Sequence, residues 1–105
     1  MSEETSENTV FVGSKPFMTY ITSVVMQFTS QNRSEVIIKA RGKFITKAVD
    51  IAEVVRRKFL REHNIFVKEI KIGSEEFESK EGKKISVSTI EISLARPRLS
   101  EAAFP

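Results

Sequence analysis

The stretch Ile38-Lys39-Ala40-Arg41-Gly42-Lys43-Phe44-Ile45-Thr46-Lys47-Ala48-Val49-Asp50 changes from one hydrophobic period to another within a few residues. Upstream, Glu35 to Ala40 is rich in β-branched residues and bounded by polar ones, which reads as a strand central in its sheet. Arg41-Gly42 breaks that pattern. From about Lys43 to Glu62, the residues Ile45, Ala48, Ala52, Val55 and Phe59 recur on one side of a helix. The junction thus joins a strand end to a helix start, a place where cationic side chains, backbone N–H groups and the positive helix end can meet a phosphate.

The same arrangement occurs earlier in the chain. Thr9-Val10-Phe11-Val12 reads as a short buried strand stopped by Gly13-Ser14. Pro16 suits a first helical turn because its φ is fixed and it lacks an N–H. Phe17, Ile21, Val24, Val25 and Phe28 then give one apolar face to a helix of about four turns, ending near Ser30-Gln31-Asn32. Phe11, Phe17, Phe28 and Phe44 are expected in the core. After His63-Asn64, residues Ile65 to Ile72 and Ile85 to Leu94 read as two further strands. Between them Glu75 to Lys84 is polar and turns at Glu81-Gly82, predicting a hairpin with a protruding, mobile tip.

The order β-α-β-α-β-β predicts an α/β domain of the two-layer α+β kind, a four-stranded sheet with two helices on one face. Its first two strands are expected to be parallel, which puts both strand-to-helix junctions on one edge. The domain is expected over residues 9–96, between a mobile acidic tail at 1–8 and a C-terminal tail at 97–105, since Pro97 cannot continue a central strand.

Composition supports one ordinary globular core. The 105 residues are 40% hydrophobic and 30% charged, with 4 Gly, 3 Pro and no cysteine, which excludes disulfides, thiolate metal sites and cysteine nucleophiles. The acidic start Met1-Ser2-Glu3-Glu4 and the short apolar runs predict neither a signal peptide nor a membrane span, so a soluble, cytoplasmic protein is expected. The formal charge is +3. Setting aside Glu3, Glu4 and Glu7 leaves 11 acids against 17 Lys and Arg, a balance of +6 that favours polyanions.

The basic residues fall into clusters. Gly13-Ser14-Lys15-Pro16 opens the first helix, and Lys39-Ala40-Arg41-Gly42-Lys43 opens the second. On a helical wheel Lys43, Lys47, Arg57, Lys58 and Arg61 share an arc of roughly 100° away from the apolar side. Lys80-Glu81-Gly82-Lys83-Lys84 occupies the hairpin tip, where a basic arm can reach a groove.

No catalytic constellation is visible. His63, the single histidine, stands in a charged helix end and suits a capping or surface role. Asp50 and Glu53 have the spacing of surface chemistry. No metal-ligand spacing, phosphate fingerprint or nucleophile motif occurs. The chain is expected to be no enzyme, with no cofactor, metal or small-molecule substrate and no membrane partner. With one Tyr and no Trp, and the phenylalanines assigned to the core, recognition of duplex shape and backbone fits better than base stacking.

Three runs, Val12 to Tyr20, Ile38 to Asp50 and Val87-Ser88-Thr89-Ile90-Glu91-Ile92, resemble the signature stretches of the Alba family of archaeal chromatin proteins. The resemblance spans residues 9–96. It implies the fold of the translation initiation factor 3 C-terminal domain, and a dimer that coats double-stranded DNA and RNA without strong sequence preference and compacts the chromosome. It places Lys15, next to Ser14, in a central basic surface beside the dimer axis, with Lys39, Arg41 and Lys43 extending it and Lys47 flanking it. The hairpin from Ser79 to Lys84 becomes an arm along the minor groove. Phe59, with Leu60, takes the place of a contact between neighbouring dimers on DNA.

Two departures stand out. Many members carry two lysines before the proline, the first reversibly acetylated, where this chain has Ser14-Lys15. Ser86 replaces a residue that is often basic, which leaves Lys83 and Lys84 to charge the arm. Homodimers, and heterodimers with a paralogue, both fit the resemblance. Two other readings stay open: RNA as main partner within an RNA-processing complex, and a protein-interaction subunit that docks through Phe59 and Leu60.

Overall fold

The structure, a computed structural model, describes residues 8–97. Strand β1 (Thr9–Phe11) leads into helix α1 (Phe17–Phe28), strand β2 (Glu35–Arg41), helix α2 (Ile45–Val54), and the strands β3 (Phe66–Glu78) and β4 (Lys84–Ala95). The sheet order is β1-β2-β4-β3, with β1 and β2 parallel and the other pairs antiparallel. This is the expected β-α-β-α-β-β architecture, with β2 and β4 central.

Alternation along the strands creates two unlike faces. Val36, Ile38 and Ala40 of β2 and Ile92 and Leu94 of β4 are buried beneath Ile21, Val24 and Phe28 of α1 and Ala48, Ile51 and Ala52 of α2. Full burial of each large side chain here contributes about 1.5–3 kcal/mol. The opposite face carries Ile37, Lys39 and Arg41, paired across to Ser93, Glu91 and Thr89. Phe11 lies beside Lys39 on that open face and is 51% exposed, so the core position expected for it is corrected. In a three-residue edge strand the alternation turns Val10 inward, and Phe11 must point the other way.

The expected tail at 97–105 lies outside the described residues apart from Pro97, and residues 1–7 lie outside them as well. Asn8 does not belong to a free tail. Its carbonyl accepts from the Ile37 amide at 2.8 Å and its side chain donates to the Glu35 carbonyl at 3.2 Å, so the edge pairing starts one residue early.

The second helix is less regular than the wheel predicts. A short 3₁₀ turn, Gly42–Phe44, precedes α2, and a π turn, Val55–Phe59, follows it. The Leu60 amide bonds back to the Val55 carbonyl at 2.8 Å, five residues away, which inserts one residue into the turn. The phase slips accordingly. Leu60, 2% exposed, enters the core where an unbroken α-helix would have placed Phe59, and Phe59 is 50% exposed.

The hairpin also differs. β3 runs to Glu78 and β4 starts at Lys84, so half of the segment expected as a loose tip is paired ribbon. The turn is tied by the Ser79 amide to the Lys83 carbonyl at 2.8 Å, by the Gly82 amide to the Ser79 carbonyl at 3.0 Å, and by Ser79 Oγ accepting from the Lys83 amide at 3.2 Å. Backbone pairing does not require apolar side chains, which is why a polar stretch could be a strand. The ribbon draws the molecule out to 59 × 25 × 22 Å.

Candidate nucleic-acid interface

Parallel pairing of β1 with β2 brings both strand ends, and the helix starts after them, to one end of the sheet. The ribbon leaves from the same end, because Arg41, the last residue of β2, stands opposite Thr89 of β4. A cleft of about 900 Å³ opens there, lined by residues that include Phe11, Gly13, Lys39, Arg41, Lys43 and Glu75. Three clusters that are distant in sequence, the Gly13 loop, the Lys39 to Lys43 corner and the root of the arm, therefore meet around one concavity.

The first loop is held from two sides. The buried Tyr20 hydroxyl, 6% exposed at the residue level, accepts the Gly13 amide at 2.8 Å and the Lys15 amide at 3.1 Å. The Lys47 ammonium donates to the Gly13 carbonyl at 2.7 Å and the Lys15 carbonyl at 2.6 Å. It also lies over the rings of Tyr20 at 5.0 Å and Phe44 at 6.0 Å. Hydrogen bonds to a charged group contribute about 1.5–3 kcal/mol each. The expectation that backbone N–H groups of this loop receive a phosphate is corrected for Gly13 and Lys15, whose amides are already occupied. Ser14 and Lys15 keep exposed side chains.

The second corner depends on backbone geometry. Gly42 has φ +59°, the left-handed region that side-chain-bearing residues avoid, and a Cβ there would stand 3.4 Å from Val87 Cγ1. The chain can therefore turn sharply between Arg41 and Lys43 while packed against β4. Lys43 is exposed, with its ammonium 5.5 Å from the Phe44 ring centroid.

Two of the expected phosphate-binding side chains are engaged with carboxylates. Arg41 Nη1 meets Glu75 Oε1 at 2.8 Å, and Lys39 Nζ lies 3.6 Å from Glu91 Oε2. The Arg41 and Glu75 side chains are 65% and 53% exposed, so their pair is worth about 0.2–1 kcal/mol and can be exchanged for a phosphate at small cost. Lys39 is half-buried and also lies 5.6 Å over the exposed Phe11 ring.

Lys83 and Lys84 are exposed but not gathered with the others. Lys84 stands five residue steps along β4 from Thr89, which places it roughly 17 Å beyond the end of β2. The basic arc expected along the second helix is not continuous. Lys47 turns inward to the loop, Arg57 and Arg56 both bond Glu53, at 2.7 and 2.6 Å, and the π turn that contains both arginines shifts the phase. Those guanidiniums hold the Glu53 carboxyl below its ordinary range, Arg57 contributing most. Lys58 and Arg61 are exposed on this separate patch. Of the pair expected to contact neighbouring dimers, Phe59 is available at the surface and Leu60 is not. Among the described residues no group of three His, Asp or Glu side chains is placed to hold a metal ion.

Tyr20 is the residue that sequence reasoning missed. A signal for it existed: the single tyrosine stands four residues after the helix-opening Pro16, one turn above the loop.

The comparisons with known proteins agree with one another. The Alba family model matches residues 8–74. The chain is 48% identical over 88 residues to the DNA/RNA-binding protein Alba of Methanococcus maripaludis, covering 84% of this chain and 97% of the relative. It is 50% identical over 92 residues to the protein of the same name from Methanocella arvoryzae, covering 88% and 93%. Among solved structures it is similar to Alba from Thermoplasma volcanium, with a TM-score of 0.77, 46% identity, and coverage of 85% of this chain and all of the other.

Proposed function

Because this chain belongs to the Alba family, we propose that it binds nucleic acid without reading base sequence, coating and compacting double-stranded DNA, and binding RNA, as a dimer through phosphate contacts. The observation that carries this reading is the convergence of Lys39, Arg41 and Lys43 around one cleft, with Gly13 of the loop that bears Lys15 in its lining, at the root of an extended ribbon tipped by Lys83 and Lys84. Each cation meets a phosphate as a side chain on a rigid corner, and such contacts position a protein on a duplex without carrying sequence information. The relatives' name, DNA/RNA-binding protein Alba, supports both partners, and phosphate contacts serve A-form and B-form helices alike.

Dimerisation is supported by apolar surface that one copy leaves uncovered. Ile70, Ile72, Phe77 and Ile85 are exposed on β3 and β4, Ile72 at 82%. Alternation puts Ile70 and Ile72 on the face that continues the helix-covered layer and Phe77 and Ile85 on the opposite face of the ribbon, and apolar surface of this kind is covered when two copies pair. Phe59, at the far end of the second helix, is the contact proposed between neighbouring dimers on one duplex.

The test is fluorescence anisotropy with random-sequence duplexes across a range of salt, with DNA and RNA competing, alongside sedimentation to count copies. The slope of log K against log salt should be steep, about 0.9 for each phosphate engaged, and similar for all sequences. A flat response, or strong preference for one sequence, would overturn the proposal.

A further inference from the structure

Lys47 has the charge and the neighbourhood of a phosphate contact, yet its bonds point elsewhere. Its ammonium is a compact group with three donors, and two of them go to the Gly13 and Lys15 carbonyls at 2.7 and 2.6 Å. The rings of Tyr20 and Phe44 lie within 6.0 Å of the same atom. Tyr20, from the other helix, accepts the amides of the same two residues. The three-residue loop is thus gripped by its N–H groups from α1 and by its carbonyls from α2. The peptide groups of Gly13 and Lys15 are satisfied internally, and the loop offers a ligand the exposed side chains of Ser14 and Lys15.

We propose that Lys47 and Tyr20 are positioning residues of the nucleic-acid site: they fix the Gly13–Lys15 backbone so that Ser14 and Lys15 meet phosphate preorganised, and Lys47 touches no phosphate itself. This rests on the phosphate-binding reading given above. Without the brace the loop remains attached but must be ordered by the ligand, and that ordering is subtracted from affinity.

The chemistry separates positioning from contact. A lysine on a phosphate contributes its own counterion release, so removing it lowers the salt slope whatever happens at Lys15. A lysine that acts through Lys15 has no slope of its own to lose once Lys15 is gone. Tyr20 sharpens the distinction because Tyr20→Phe removes one oxygen and no charge.

The experiment measures duplex-DNA affinity by anisotropy across salt for the full chain and for Tyr20→Phe, Lys47→Met, Lys15→Ala and the Lys15→Ala/Lys47→Met double variant, each checked by thermal unfolding. Tyr20→Phe should weaken binding about two- to tenfold while keeping the parent's salt slope, since net charge is unchanged and Lys15 still meets its phosphate once the loop is ordered. The double variant should bind as Lys15→Ala does. If Lys47→Met lowers the slope by about 0.9 per engaged copy in addition to Lys15→Ala, Lys47 is a direct contact and the proposal is wrong. Tyr20→Phe that lowers the unfolding temperature while leaving affinity untouched overturns it too, and needs no folded Lys47 variant. A Lys15→Ala variant with the parent's slope is the distinct result in which phosphate binding at this loop, and the brace with it, both fail.

Discussion

Replacing Glu75 with glutamine should tighten nucleic-acid binding by freeing Arg41. The two side chains meet at 2.8 Å on the open face where β2 ends, and both are more than half exposed. An exposed pair of this kind is worth about 0.2–1 kcal/mol, and a phosphate that takes Arg41 must first give up that amount. Removing the competitor should therefore raise affinity about 1.4- to 5-fold per protomer, with a change in folding stability below ~1 kcal/mol. Any lost negative charge would favour a polyanion, so Glu76→Gln is the control. Glu76 neighbours Glu75 but stands opposite Ser86, on the other face of the ribbon. Anisotropy at fixed low salt with one random duplex reads both variants. Equal gains would reduce the effect to net charge, and no gain for Glu75→Gln would show that Arg41 does not exchange its carboxylate for phosphate.

The remaining predictions concern neighbouring features. Leu60→Ala should destabilise the fold by about 2–5 kcal/mol in chemical denaturation, whereas Phe59→Ala should cost under ~1 kcal/mol and reduce cooperative coating while sparing single-dimer affinity; the reverse order would refute the phase slip. Gly42→Ala should cost about 1–2 kcal/mol from the positive φ, with Val87 at 3.4 Å adding to it, and should weaken binding as Arg41 and Lys43 are displaced. Glu53 has its pKa depressed below its ordinary 4.5 by Arg57 and then Arg56, so its contribution is present above the unfolded pKa and disappears as pH falls through the folded one. The stability gap between the parent and Glu53→Gln, measured by thermal unfolding, should therefore exist at neutral pH and close in acid.

Much of the fold could be read from side-chain pattern because burial is what the pattern records. The β-branched run at Val36-Ile37-Ile38 marked the central strand, and Pro16 and Gly42 marked the two helix entrances. What escaped the reading depends on backbone geometry or on partners distant in sequence. No residue type announces a π turn, so a regular wheel puts Phe59 on the apolar side of the helix, in the place that Leu60 fills. Phe11 is as apolar as Val10, and only the sheet's single covered layer separates them. The arm's polar residues hid a ribbon held by main-chain bonds. At the site, sequence could find the cations but not their present partners: Glu75 is 34 residues from Arg41, and the carbonyls that hold Lys47 are 34 and 32 residues away.

The most direct test of the central claim is a map of which backbone amides shift in the NMR spectrum as a short random-sequence duplex is titrated into the full chain. Shifts concentrated at Gly13 to Lys15, Lys39 to Lys43 and Ser79 to Lys84 are predicted, weakening together as salt rises. Shifts centred on Arg56 to Arg61, with those three segments silent, would contradict the account.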